Sequence, residues 1–198
     1  MKSKIKADIE LFFEDPKQEH DIPRRCSVLY LLRRDISTCF GISIVSGREI
    51  KFKALWPGTM AIFAGIDLLG KFYEGNDDKN KVSKRFKKYI EDYFGSISER
   101  DKDIIYQLRN SLLHSFGLYS KDIKDKKYYF IVDEMGGRIV EYLPKDRYKV
   151  DLITLKNLFE SSIDLYRTKL LADTNLQSKF NIIFENYGYT NVGKSETR

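Results

Sequence analysis

Apolar positions recur every three to four residues along most of the chain, the spacing of amphipathic helices. Over residues 3–14, Ile5, Ile9 and the Phe12/Phe13 pair fall on one face, and Asp15-Pro16 ends the pattern because the residue before a proline disfavours the α region. After a polar connector to Pro23, residues 24–40 predict a second helix, with Val28, Leu31, Leu32 and Ile36 on one side. Residues 42–52 fit either a short strand, on the β-branched Ile42, Ile44 and Val45, or a helix that continues and breaks at Gly47. Trp56-Pro57 suits a helix entry. The helix it opens, to about Tyr73, is apolar on most sides, with Asp67 the single charge within its apolar run from Met60 to Leu69, and belongs in the centre of a bundle.

Beyond a turn at residues 75–78, residues 79–94 predict a basic helix whose apolar stripe is Phe86, Tyr89, Ile90, Tyr93 and Phe94. Ser98 is a natural N-cap for a further helix that runs to about Phe116, where Gly117 is placed to stop it. The period then switches to two. Residues 127–134 and 138–143 predict two strands joined by a turn at Gly136-Gly137, a hairpin that Tyr148–Val150 would extend. Residues 151–171 and 175–187 return to helix, and the tail beyond Gly188 is polar. The expected architecture is therefore mainly α: one domain over residues 1–198, a helical bundle with a late β-hairpin insertion at about 127–143. No alternation of strands and helices suggests a doubly wound sheet.

Composition agrees with a folded domain. Of the 198 residues 42% are hydrophobic, and 13 Tyr and 13 Phe supply bulky core material. The charged N-terminal stretch carries no apolar signal core, and no uncharged run approaches the roughly 20 residues of a membrane span. A soluble, cytoplasmic protein with no membrane partner is expected. Cys26 and Cys39 lack metal-ligand spacing and any nearby histidine, so neither a disulfide framework nor a metal site is expected, and no cofactor motif appears. The net charge of +6 favours anionic partners.

One constellation carries chemistry, Tyr106-Gln107-Leu108-Arg109-Asn110-Ser111-Leu112-Leu113-His114. At about 100° per residue, Arg109 falls inside the apolar arc, between Phe116 and Leu113. Asn110 and His114 lie one turn apart on the polar face with Asp103 and Gln107. An arginine in an apolar arc needs water, a carboxylate such as Asp67, or an anionic ligand. Of the two histidines, His20 sits in a polar connector and suggests no role. The segment 79–88 adds Lys79, Lys81, Lys84, Arg85, Lys87 and Lys88, candidates for phosphate contact just ahead of the motif helix.

The run Arg109-Asn110-Ser111-Leu112-Leu113-His114 resembles the R-N-x-x-x-H signature of the HEPN superfamily. That resemblance implies a small helical bundle, a homodimer, and a metal-independent endoribonuclease of toxin–antitoxin or phage-defence type. It implies His114 as general acid/base, Arg109 as the stabiliser of transition-state charge, and Asn110 as the residue that orients His114 or the phosphate. RNA would be the substrate, and an antitoxin protein a further partner. Two other classes share these residues: a non-catalytic module of the same fold holding RNA, a nucleotide or a protein, and a structural dimerisation protein.

Overall fold

The computed structural model describes residues 2–17 and 25–191. His20 and the expected helix start at Arg24 lie outside the described residues. Among the described residues there are seven α-helices and six short strands: α1 Lys2–Phe12, β1 Arg25–Ser27, α2 Val28–Cys39, α3 Leu55–Glu74, α4 Val82–Tyr93, α5 Glu99–Ser115, β2 Tyr119–Lys121, β3 Lys127–Asp133, β4 Val140–Leu143, β5 Arg147–Asp151, α6 Leu152–Ala172, α7 Thr174–Tyr187 and β6 Tyr189–Asn191. A 3-10 turn, Lys79–Lys81, precedes α4. The protein is mainly α, with a small mixed sheet. Among the described residues no helix is long and apolar enough to cross a membrane.

The apolar helix predicted for the centre is α3, which packs against α2, α4, α5, α6 and α7. Its Ile62, Phe63, Ile66, Leu69 and Phe72 are fully buried. Close approach of α6 demands Gly65: a Cβ there would stand 2.5 Å from Cζ of Phe159. Residues 42–52 form neither a regular strand nor a helix. A single bridge, Ile42 to Glu49, closes them into an irregular loop.

The second helix starts later than its apolar pattern suggests. Residues 25–27 are extended and pair antiparallel with residues 189–191, a stretch whose polar character reads as tail. Ser27 is the reason. Its hydroxyl accepts from the Tyr30 amide at 2.8 Å, capping α2, and donates to the Phe12 carbonyl at 2.8 Å, tying the end of α1 to the start of α2.

The late hairpin is corrected more deeply. β3 and β4, the strands flanking Gly136-Gly137, are not neighbours: the sheet order is β2-β3-β5-β4. β5 lies between them, parallel to β3 and antiparallel to β4. Its Tyr148 and Val150 are buried, and Val150 stands opposite both Val132 and Val140. A strand with that much apolar surface gains most in the middle of the sheet. The true hairpin is β4–β5, turned at residues 144–146 with Lys145 and Asp146 at positive φ. A second one, β2–β3, contains a strand of three residues that the pattern does not reveal.

Asp151 joins sheet to helix. Its carboxylate accepts from the Thr154 amide at 2.6 Å, capping α6, and from the Gly136 amide at 2.8 Å. Burial pushes its pKa up, but these backbone bonds outweigh burial and leave it below the usual aspartate value. A depressed folded pKa means that the stabilisation is complete above the unfolded value of about 3.9 and is lost as pH falls through the folded one. Asp151→Ala is therefore expected to lose about 1–2 kcal/mol at neutral pH, with the gap to wild type closing under acid. Urea unfolding of both proteins at neutral and at acidic pH measures it; an equal gap at both would show that the charge is not what stabilises.

Candidate active site

Helix α5 carries the motif and is fixed at both ends. Ser98 accepts from the Asp101 amide at 3.1 Å at its start, and Ile104, Ile105, Leu108 and Leu112 anchor its apolar face in the core. At its C-terminus the left-handed residue is Phe116, at φ 48°, in place of the expected Gly117. A phenylalanine there carries strain that a glycine would not. Its ring stands 6.4 Å from that of Trp56. The Gly117 amide still donates to the Ser111 carbonyl, at 3.2 Å. The turn immediately after His114 is thus closed by a strained residue.

Arg109 has the partner its position in the apolar arc requires. Its Nε and Nη2 both donate to Oδ2 of Asp67, at 3.1 and 2.6 Å. The side chains are 11% and 18% exposed, so the pair is largely withdrawn from water. Burial pushes the Asp67 carboxyl above its usual range, against the opposing pull of the Arg109 bonds and charge. Its other oxygen, Oδ1, is buried without a hydrogen-bond partner.

The remaining arm of the guanidinium faces the motif. Nη1 donates to Asn110 Oδ1 at 3.0 Å and lies 3.0 Å from His114 Nε2. Arginine has donors only, so Nε2 accepts here, and the imidazole proton of this arrangement sits on Nδ1. Arg109, Asn110 and His114 form one hydrogen-bonded unit, anchored through Asp67 to the central helix. Tyr106 flanks it, its ring centroid 5.8 Å from the guanidinium carbon.

His114 is exposed and, with Asn110, lines an open cleft of about 460 Å³ whose other walls include Tyr106, Tyr119, Ser120 and Lys121. A second cleft of about 480 Å³ shares Tyr106, Asn110 and Lys121 with the first and continues past Lys87, Gln107 and Lys124. Arg109 itself lines a third cavity, with Asp67, Lys71, Asp77, Lys79 and Arg85.

The basic segment does not act as one face. Arg85 is 3% exposed and donates to Asn76 Oδ1 at 3.0 Å and to the Asp78 carbonyl at 2.5 Å. It fastens the turn ahead of α4 and reaches solvent only at the wall of the Arg109 cavity, apart from the exposed lysines of the segment. Lys87 borders the second cleft while paired with Asp103 at 2.5 Å. Lys88 pairs with Glu91 and Asp92, and Lys81 with Asp78. Lys79 and Lys84 are exposed, Lys79 at the Arg109 cavity. Tyr119 and Lys121 belong to the three-residue β2, too short to show a pattern in the sequence. Tyr106 opens the motif run, one turn before Asn110 on the same helix. Among the described residues no group of three or more His, Cys, Asp or Glu is placed to hold a metal.

The sequence matches no protein-family model, no curated protein and no solved structure.

Proposed function

We propose that the protein is a metal-independent endoribonuclease of HEPN type, a cytoplasmic homodimer in which His114 transfers protons, Arg109 stabilises phosphate charge and Asn110 orients them. The observation that carries the reading is the Arg109 guanidinium. It is fixed by Asp67 and turns one nitrogen toward both Asn110 and His114 beside an open cleft. An arginine held for structure alone has no need to hydrogen-bond an exposed histidine.

The chemistry follows from these groups. A neutral imidazole takes the ribose 2′-OH proton, the 2′-oxygen attacks phosphorus, and the 5′-oxygen leaves with a proton from an acid. The products are a 2′,3′-cyclic phosphate and a 5′-hydroxyl. A scissile phosphate competes for Arg109 Nη1, which frees Nε2 to act as the base and brings the guanidinium onto the nonbridging oxygens. One histidine serves poorly as both acid and base, and a second copy supplies the other. The expected result is cleavage of total RNA in EDTA by a protein that sediments as a dimer, with cyclic phosphate ends on the products. Cleavage that needs Mg²⁺, or full activity from a monomer, would overturn this mechanism.

A further inference from the structure

The four-stranded sheet has two unlike faces. Burial alternates along β3, with Tyr128 and Phe130 inward and Lys127, Tyr129 and Ile131 outward. The inner face, completed by Tyr148, Val150 and Val140, packs on α5 and α6. On the outer face Tyr119, Tyr129 and Ile131 are 44%, 42% and 40% exposed. Tyr119 and Tyr129 are register partners, with ring centroids 5.1 Å apart at 44°. In the same register Tyr129 is followed by Arg147, and the next pair along β2 and β3 is Lys121 and Lys127.

Charge is graded along this face. Lys121, Lys127 and Arg147 lie at the tyrosine end, Lys121 paired with Asp125 at 2.7 Å. The acidic Asp133 and Glu141 lie at the other, both held by Lys149, at 3.3 and 2.5 Å. The basic end is also the end that meets the cleft, since Tyr119 and Lys121 line it together with His114. Aromatic rings standing out of a sheet among cations suit stacked bases and a phosphate backbone. They suit unpaired strands, because a duplex hides its base faces.

We infer that the outer sheet face is a binding platform for single-stranded RNA, on which bases stack against Tyr119 and Tyr129 while Lys121, Lys127 and Arg147 hold the backbone and lead it into the His114 cleft. The inference rests on the reading of that cleft as an RNA site, and it makes the substrate a single strand. Rings exposed on a basic face favour nucleic acid over a protein partner, whose interface core would be depleted in charge.

The test separates binding from cleavage. A labelled 2′-O-methyl oligouridine lacks the attacking hydroxyl, so its anisotropy reports affinity alone. Tyr129→Ala is expected to weaken binding about tenfold or more, Tyr129→Phe to bind as wild type, and Lys127→Ala to weaken binding with a shallower salt dependence. The Lys127 variant keeps the test open should Tyr129→Ala fail to fold. A duplex of the same chemistry should bind more weakly and ignore Tyr129. Tyr129-dependent binding by a protein that cleaves nothing would support the platform and refute the nuclease. Cleavage of RNA with unchanged affinity in folded Tyr129→Ala and in Lys127→Ala would refute the platform alone. A dimer that dissociates in Tyr129→Ala, at unaltered RNA affinity, would make the face a protein interface and overturn the inference.

Discussion

His114→Ala is expected to lower RNA cleavage in EDTA by about 10²–10⁴-fold, the usual loss for a general acid/base. The fold should survive it. His114 is exposed, and the bonds from Arg109 to Asp67 and to Asn110 do not involve the imidazole. A surface truncation of this kind costs about 0.5 kcal/mol or less. Single-turnover cleavage of a labelled RNA, read beside the thermal melt, separates loss of chemistry from loss of structure. Binding of the 2′-O-methyl probe should be nearly unchanged, because it depends on the sheet and the basic residues. Cleavage that persists in the variant would remove His114 from the reaction and leave a binding module as the better account.

Asp67→Ala is expected to be the most damaging single change at the site. It strands a guanidinium that is 11% exposed and removes the acceptor of two of its bonds. Breaking such a pair from one side costs about 3–5 kcal/mol, a fall in Tm on the order of 10 °C for a domain of this size. Activity should fall as well, because Asp67 holds the arm of Arg109 that positions Nη1 against Asn110 and His114. The double variant Asp67→Leu with Arg109→Met tells the two effects apart. It replaces the pair with apolar groups of similar volume, which is often neutral or stabilising, so the melt should recover while cleavage stays lost. Recovery of both would mean that the pair serves the fold alone.

The helices were largely legible because each one repeats its apolar spacing over three or more turns. Asp67 and Arg109 were legible as well: each is a charge in an otherwise apolar setting, and the structure pairs them. What the sequence hid was set by contacts distant in the chain. Residues 25–27 carry a helical pattern into Val28, yet pairing with residues 189–191 and the Ser27 cap hold them extended. The Gly136-Gly137 turn looks like a hairpin because strands next in sequence usually pair; only the burial of both Tyr148 and Val150 places β5 between them. Arg85 looks like its lysine neighbours in a basic run. Its position on the buried side of α4, next to Phe86, is what separates it from them. The cleft was half visible: α5 supplies one wall from a clear pattern, and β2 supplies the other from a segment too short to show one.

The placement of β5 also bears on how the molecule assembles. The sheet is two local hairpins, β2–β3 and β4–β5, joined along the parallel β3–β5 seam. Each hairpin closes over a short loop, a step of microseconds. The seam must bring Tyr129 to Arg147 across the whole of β4 and its turns, and such non-local pairing is slower to form. Parallel pairing is also slightly less stable per residue than antiparallel. The seam is therefore the late step in folding, although its five register pairs make it the longest pairing of the sheet once formed. Because Tyr119 and Tyr129 lie together on the hairpin before the seam, the wall of the cleft can be complete before the sheet is.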